Sequence, residues 1–494
     1  MTQRSRLAAT AAAGALLLSG CSGDSPSDPS ATPTGSPTES GTVAVDDVAA
    51  PTAPDDGVLD LGISEPREDS YYPHVGDPGV DALHYGLSLR WDPTALLLRA
   101  RERLTFRAAE TDEEFQLDFG EDLEITELSV DGEAAEWVQE GKDLVVDHAV
   151  EEDQRYVLEL AYSGLPDPVE APVQRTDFTR TGWTVADGGG TWTMQEPFGA
   201  YTWYAVNDHP SDKALYDFTL VVPSPWTGVA NGELVDVRDS EGARISQWHL
   251  AEPAASYLVT TAFGDFDMTR DESPSGVPIT YWTPRSQPKV LDKLEVTPEA
   301  MAWLEDLLGP YPFDTFGTVV VDAESGMETQ TMVTLGDTRY TLSSKVIVHE
   351  LAHQWYGDQV TPDDWRDVWM NEGLVMYLQG MWEAEQQGIP VAAKMDRWAL
   401  FEEALREEAG PPAAYFPDFF GSSNIYYGPA LMFQELREMV GDERFFTMVR
   451  GWPAANDNAN ADREDFIAFM EESTGEELSV FFDAWLLGEE TPPR

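Results

Sequence analysis

The stretch VIVHELAHQWYGDQV, residues 346–360, constrains the fold more than any other part of the chain. It places His349 and His353 four residues apart, with Glu350 beside the first histidine. On an α-helix, residues four apart lie on one face, so both imidazoles can reach a single metal ion. Glu350 lies to the side of that face, where a carboxylate can act as general base on a water molecule. Two histidines alone are also compatible with an ordinary amphipathic helix.

A third metal ligand is offered by Glu372, nineteen residues after His353 in the sequence WRDVWMNEGLVMYLQG. The intervening segment contains Gly357 and Pro362, which turn the chain, so that a second helix can return Glu372 to the same ion. Catalytic zinc takes three protein ligands and keeps a fourth position open. Because the chain has a single cysteine, the ligands must be imidazole and carboxylate. The spacing predicts one zinc ion per chain, held by His349, His353 and Glu372.

The first 21 residues have the layout of a secretory signal, because Arg4 and Arg6 precede a short apolar run. The run ends in LSGC, which resembles the bacterial lipobox, and Cys21 is the only cysteine of the chain. The resemblance implies cleavage before Cys21 and attachment of lipid to it, which anchors a protein to a membrane surface without spanning it. We therefore expect an extracytoplasmic lipoprotein on the cell membrane.

Composition and hydrophobic periodicity divide residues 22–494 into three segments. Residues 22–65 are rich in Ser, Pro, Thr, Gly and Asp and predict a disordered tether. Residues 66–265 alternate with period two, as in LRARERLTFR and RYVLELAY, and predict an antiparallel β domain. Residues 266–494 contain helical spacings such as TPEAMAWLEDLLG and EDFIAFMEESTG. The fold class is therefore multi-domain α+β.

The charge balance excludes one class of partner. Ninety Asp and Glu against 30 Lys and Arg give a net charge of -60. Such a surface repels phosphate backbones, so we expect no nucleic-acid partner. A solvated surface suited to high salt accounts for the charge more simply than a role in substrate choice, since salt screens distant charges.

The sequence VHELAHQWYGDQVTPDDWRDVWMNEG resembles the gluzincin aminopeptidases, the family of aminopeptidase N and the leukotriene hydrolases. The similarity extends through LLGPYPFD and WYAVNDHPSDKALYDF and covers roughly residues 70–490. It implies a saddle-like N-terminal β-sandwich, a mainly helical thermolysin-like catalytic domain, and hydrolysis of the N-terminal bond of peptides with a free N-terminus. Because only 68 residues follow Tyr426, we expect the further helical domain of larger members to be missing and the cleft to be more open. The sequence does not give the oligomeric state, and a monomer is assumed.

The resemblance also implies residues that bind the substrate amine. Family members use a Gly-x-Met-Glu-Asn stretch, and SGMET, residues 325–329, stands in its place, with different first and last residues. Glu328 is therefore expected to bind the ammonium group. The segment MQEPFGAYTW of the β domain supplies a second group, Glu196, or Gln195 if the register slips by one. Two carboxylates beside an ammonium form charge-assisted hydrogen bonds.

A tyrosine of the family donates its hydroxyl to the oxyanion that develops during hydrolysis. In SNIYYGPALMF the better match is Tyr426, and Tyr427 remains the alternative. Gly428 and Pro429 depart from the family pattern Tyr-x-(Lys/Arg)-Gly-Ala, so the basic residue of that pattern is missing.

Two other functions stay open at this point. The first is a thermolysin-like endopeptidase, which Glu328 argues against because an amine-binding carboxylate has no use at internal bonds. The second is a non-catalytic surface binding protein on a peptidase scaffold, suggested by the changed positions. Against it, the three predicted zinc ligands and Glu350 are all intact.

Overall fold

Twenty-three strands and ten helices are present in the computed structural model, which describes residues 48–494. The predicted signal sequence, Cys21 and the first part of the predicted tether lie outside the described residues. All described residues fall within one compact unit. No helix in this part of the chain is both long enough and apolar enough to cross a membrane.

The first eighteen strands form the N-terminal half and the start of the second. They are β1 (Val80–Asp92), β2 (Leu97–Ala108), β3 (Phe115–Asp118), β4 (Leu123–Val130), β5 (Glu133–Ala134), β6 (Glu136–Glu140), β7 (Asp143–Asp147), β8 (Arg155–Gly164), β9 (Val169–Glu170), β10 (Arg180–Val185), β11 (Thr191–Met194), β12 (Lys213–Pro223), β13 (Thr227–Ala230), β14 (Glu233–Ser240), β15 (Ala243–Ala255), β16 (Thr261–Gly264), β17 (Phe266–Glu272) and β18 (Pro278–Pro284).

The remaining strands are short and lie among the helices. They are β19 (Phe316–Val321), β20 (Gly326–Met327), β21 (Met332–Gly336), β22 (Thr361–Pro362) and β23 (Asn460–Ala461). The helices are α1 (Asp56–Leu59), α2 (Leu291–Leu294), α3 (Thr297–Leu308), α4 (Ser344–Ala352), α5 (Trp369–Gln387), α6 (Val391–Ala409), α7 (Ser423–Val440), α8 (Asp442–Ala455), α9 (Arg463–Thr474) and α10 (Ser479–Leu486).

An eight-stranded sheet in the order β14-β15-β12-β1-β2-β8-β4-β5 forms the larger layer of the β domain. Its alternation is as predicted: Leu98, Ala100 and Leu104 of β2 are buried. The sheet is not wholly antiparallel, because β1 pairs with β12 in parallel. The ten strands between them in sequence form the crossover that a parallel pair requires.

A five-stranded sheet, β13-β16-β11-β10-β9, makes the second layer. Trp91 of β1 contacts Trp183 of β10, with ring centroids 5.6 Å apart, and both side chains are fully buried. Burial of two large aromatic rings between the sheets is the packing expected of a β-sandwich. The predicted β-rich domain is therefore confirmed.

The second half combines a mixed sheet, β17-β18-β19-β21-β20, with helices α3 to α10. The predicted helix in TPEAMAWLEDLLG is confirmed as α3, which ends before Gly309 at a φ of 97°. Glycine adopts this conformation without a steric penalty and so ends the helix. The fold class predicted from the sequence, an α+β chain with a β domain followed by a mainly helical domain, is confirmed.

Helical turns are present within the segment 22–65 that sequence composition assigns to the tether. Residues 56–62 form helical turns, in which Leu59 is buried. The backbone N–H of Ser64 donates to Asp81 at 3.0 Å, which ties this stretch to β1. One buried leucine and a buried carboxylate acceptor hold a segment that sequence composition assigns to the tether.

The β domain is joined to the helical half by a buried lysine. The Lys213 ammonium donates to the backbone carbonyls of Asp358 at 2.9 Å and Gln359 at 3.1 Å, in the turn that follows α4. Burial lowers the pKa of Lys213 to about 7. The bonds fix the turn that leads from the first histidine helix toward α5.

Candidate active site

Helices α4 and α5 bring the three predicted zinc ligands together. His349 lies in the last turn of α4, and His353 follows as its C-cap with a helical φ of -59°. Glu372 lies in the first turn of α5. Glu372 Oε2 is 3.2 Å from His349 Nε2 and 3.5 Å from His353 Nε2. Both imidazoles and the carboxylate therefore converge on one point, which is the arrangement that the sequence spacing predicted.

The donor set fits a zinc ion. One ligand atom from each of the three residues lies within 4.8 Å of the others. His353 Nδ1 lies 3.1 Å from the carbonyl oxygen of Tyr356. A carbonyl only accepts, so Nδ1 carries the proton and Nε2 presents its lone pair to the metal position. Glu372 Oε2 is buried and has no hydrogen-bond partner among the described residues. Two imidazoles and a carboxylate are a ligand set that catalytic zinc uses.

Two further glutamates face the same point from other elements. Glu328 follows the edge strand β20, and Glu196 comes from the β domain after β11. Carboxylate oxygens of Glu196, Glu328 and Glu372 lie within 4.8 Å of one another. The buried Oε1 atoms of Glu196 and Glu328 have no hydrogen-bond partner within the part of the chain that is described. Unpartnered buried carboxylates are costly, which indicates that a cationic ligand completes them.

Electrostatics supports this interpretation. Burial, together with the charge of Glu328, raises the pKa of Glu350 to about 8. Burial, again with Glu328, raises the pKa of Glu196 well above its usual range. Burial favours the neutral form of Glu372 too, yet the charges of His353 and His349 hold its pKa below the usual range. Clustered carboxylates oppose each other's ionisation, and a bound metal ion and an ammonium group would relieve that repulsion.

The alternative amine-binding residue does not face this site. The Gln195 amide donates to the carbonyls of Ser256 at 2.7 Å and Val259 at 2.9 Å. Its oxygen accepts from the indole of Trp203 at 2.9 Å. All its hydrogen bonds are therefore made inside the β domain, while the neighbouring Glu196 lines the cavity.

The cavity has a volume of about 350 Å³, in the range of small-ligand sites. Apolar side chains form part of its wall beside the glutamates, namely Phe178, Met327, Val346 and Met376. One side therefore suits an ammonium group, and another suits an uncharged side chain.

Both candidate tyrosines line the cavity, and they differ in their neighbours. The ring of Tyr426 lies nearly parallel to that of His349, with centroids 6.1 Å apart. Tyr427 instead packs edge-on against Trp398 at 5.1 Å. Burial raises the pKa of Tyr426 well above its usual range, so its hydroxyl keeps its proton and can donate. This favours Tyr426 as the donor near the metal ligands.

Pro429, which departs from the family pattern, packs closely against Gly373, the residue after the metal ligand Glu372. A Cβ placed on Gly373 would lie 2.6 Å from Pro429 Cβ and 3.3 Å from Phe433 Cε2. Gly373 therefore lets α5 approach α7 at the point where Glu372 turns toward the histidines. The close contact requires glycine after Glu372 as long as proline occupies position 429.

We expect Gly373→Ala to weaken both folding and zinc binding. The added methyl overpacks the α5–α7 contact at a cost of about 1–3 kcal/mol and displaces Glu372. Thermal unfolding should show a lower Tm, and competition with a chelator should show about tenfold weaker zinc binding. Gly57→Ala is the matched control, because a Cβ added to Gly57 would have no atom within 4 Å of it. Unchanged zinc affinity in Gly373→Ala would contradict the close-packing argument.

Sequence reasoning missed two charged residues of the cavity, Arg175 and its ion-pair partner Asp177. Arg175, in the loop between β9 and β10, lines the wall beside Glu350 and Tyr426. The loop has no periodicity or motif, so no sequence signal distinguishes Arg175 from other surface arginines.

Two protein families and several curated sequences are similar to this chain. The peptidase M1 N-terminal domain matches residues 81–258, and the peptidase family M1 domain matches residues 292–485. Aminopeptidase N of Streptomyces lividans is 26% identical over 334 residues, which are 61% of this chain and 38% of that protein. Probable aminopeptidase 1 of Sulfurisphaera tokodaii is 25% identical and covers 74% of this chain. The chain spans only 48% of that relative, so it corresponds to half or less of these two proteins.

Two solved structures match over almost their whole length. An M1 zinc metallopeptidase from Deinococcus radiodurans has a TM-score of 0.76 at 25% identity, over 86% of this chain and 98% of that one. A variant of a two-domain M1 zinc metallopeptidase, solved with L-tryptophan bound, has a TM-score of 0.78 at 25% identity. The two family domains together match well over half of the sequence, in the order found here. The predicted zinc cofactor is thereby confirmed, and the chain belongs to peptidase family M1.

Proposed function

We propose that this chain removes the N-terminal residue from peptides with a free amine, using zinc held by His349, His353 and Glu372. The observation that carries the proposal is the joint placement of a three-donor metal position and two unpartnered carboxylates in one cavity. Two carboxylates placed to bind an ammonium group would not help an endopeptidase, which cleaves internal bonds. A general base beside the metal position would not help a protein that only binds.

Substrate binding is set by the ammonium group. Glu196 and Glu328 would each accept hydrogen bonds from it, and their burial strengthens these charge-assisted bonds. With the amine fixed there, only the first peptide bond can lie beside Glu350 and the metal position. The two carboxylates thus restrict cleavage to the bond that follows the N-terminal residue.

The chemical step uses two side chains of this chain, Glu350 and Tyr426, together with the metal. Zinc, when bound, supplies Lewis acidity that polarises the scissile carbonyl and acidifies water. Glu350 takes the proton of the attacking water and delivers it to the leaving amine. The Tyr426 hydroxyl donates to the oxygen on which negative charge develops. A Cβ on Gly326 would lie 2.8 Å from Glu350 Oε1, so the absence of a side chain there leaves room for the base.

Aminoacyl reporter amides and short peptides test the proposal. We expect turnover of free-amine substrates, abolition by a chelator and recovery on addition of zinc. N-acetylated versions of the same peptides should be cleaved far more slowly. Equal cleavage of free and acetylated peptides would instead support an endopeptidase, and absence of zinc by metal analysis would support a binding protein.

We infer separately that the chain is an extracytoplasmic lipoprotein anchored through Cys21. The support is the sequence alone: the basic start, the short apolar run and the LSGC end. Expression of Cys21→Ser in a bacterial host, followed by fractionation, tests it. Wild-type protein should sediment with membranes and carry an acyl mass on Cys21, whereas an unmodified cysteine in the wild type would overturn the inference.

A further inference from the structure

A single positive side chain of fixed charge shares the catalytic cavity with its glutamates. Among the described residues that line the cavity, Arg175 is the only lysine or arginine. Its side chain is 31% exposed, so the guanidinium is open to a ligand in the cleft. Because Glu196, Glu328, Glu350 and Glu372 line the same cavity, a peptide that carries an extra carboxylate is repelled there unless the site offers a local cation.

The guanidinium is held in one orientation. Arg175 Nε donates to Asp177 Oδ1 at 3.1 Å, and Nη2 donates to Asp177 Oδ2 at 2.8 Å. Nη2 also donates to Ser325 Oγ at 3.2 Å. Ser325 stands where the family pattern has glycine, which offers no hydroxyl. The departure from the pattern therefore anchors the arginine, and an anchored fork binds a partner with little loss of side-chain freedom.

One edge of the guanidinium stays available. Nη1 has no hydrogen bond to any residue in the described range 48–494. Its neighbour on that side is Gly421, whose Cβ, if present, would lie 3.5 Å from Nη1. Because glycine occupies this position, residue 421 contributes no side chain that would cover the nitrogen. The free N–H groups match a carboxylate, which arginine binds through strong charge-assisted hydrogen bonds.

We propose that Arg175 binds a carboxylate of the peptide substrate and determines specificity in this cleft. The proposal rests on the aminopeptidase function proposed above. The carboxylate has two sources with the same chemistry: the side chain of an N-terminal Asp or Glu, or the C-terminus of a short peptide. With the amine held by Glu196 and Glu328, either group extends away from those glutamates.

Two substrate pairs separate the sources. The first pair is the glutamyl and leucyl amides of one reporter, which differ only in the first side chain. The second pair is Leu-Gly-Gly with a free C-terminus and the same peptide as its amide. Wild type, Arg175→Ala, Arg175→Lys and Ser325→Gly are compared by kcat/KM. Arg238→Ala is the charge-matched control, since Arg238 lies on β14 of the β domain and does not line the cavity.

We expect Arg175→Ala to lower one of the two carboxylate-to-neutral ratios about tenfold to hundredfold, the range for one charge-assisted hydrogen bond. Ser325→Gly should lower the same ratio less, Arg175→Lys should restore part of it, and Arg238→Ala should leave it unchanged. A fall in the first ratio identifies the side chain as the source, and a fall in the second identifies the C-terminus.

The proposal is overturned, and the aminopeptidase function is left intact, if Arg175→Ala leaves both ratios at their wild-type values. If all four substrates at the same time lose rate equally, Arg175 assists the reaction without binding a carboxylate. Absence of turnover of the leucyl reporter and both tripeptides by the wild type would overturn the proposed function, and this proposal with it.

Discussion

Glu350→Gln is expected to lower kcat about 10³-fold while zinc stays bound, within the range measured for loss of a general base. Glu350 is buried beside Glu328 and His353, with its carboxylate within 4.8 Å of their ligand atoms. Glutamine keeps the size and shape of the side chain but cannot accept the proton of water. The three converging metal ligands do not include residue 350, so the metal content should not change.

Two measurements are needed together for this prediction. Turnover of a leucyl reporter gives the rate, and metal analysis of the same sample gives zinc per chain. Glu403→Gln is the matched control, because Glu403 on α6 is exposed and its charge change is the same. A Glu350→Gln protein that retains a tenth of the wild-type rate would exclude Glu350 as the base. Loss of zinc would instead make Glu350 a metal ligand.

The metal position could be predicted because its information is local. His349 and His353 need only one helix to share a face, and Glu372 needs one turn and a second helix. The structure has this arrangement in α4 and α5. Glu328 and Glu196 came from the family resemblance, since neither has a spacing that points to the metal position. Their meeting depends on packing between the β domain and the catalytic half.

Other features could not be predicted because they depend on pairings distant in sequence. The parallel pairing of β1 with β12 joins residues more than a hundred positions apart, and alternation does not encode direction. Arg175 reaches the cavity through a loop whose position is set by Asp177 and Ser325, the latter 150 residues away. The hydrogen bond from Arg175 to Ser325 Oγ also gives the serine at position 325 a structural role. Its difference from the family pattern alone did not reveal that role.

The second large effect concerns Glu328, which we propose makes the cavity specific for a free amine. We expect Glu328→Gln to lower kcat/KM for a free-amine peptide about hundredfold. The variant removes one charge from a buried ion pair with the ammonium group, and breaking such a pair costs about 3–5 kcal/mol at most. Glu196 still faces the amine, which keeps the loss toward the lower end. The ratio of kcat/KM for the free peptide to kcat/KM for its N-acetylated form should fall as well. The acetylated peptide has no ammonium group, so it has no interaction with Glu328 that the substitution could remove.

Glu196→Gln and the double variant decide whether the two carboxylates act on the same group. Their oxygens lie within 4.8 Å of each other and of Glu372, so one ammonium can contact both. Sites that share a partner are not additive, and we expect the double variant to lose less than the product of the two single losses. Zinc content must stay at one per chain in all three proteins, since Glu372 is close enough to be disturbed. Strictly multiplicative losses of kcat/KM would mean that Glu196 and Glu328 act on different parts of the substrate. The position of the substrate in the cavity would then not depend on an ammonium group bound by both carboxylates.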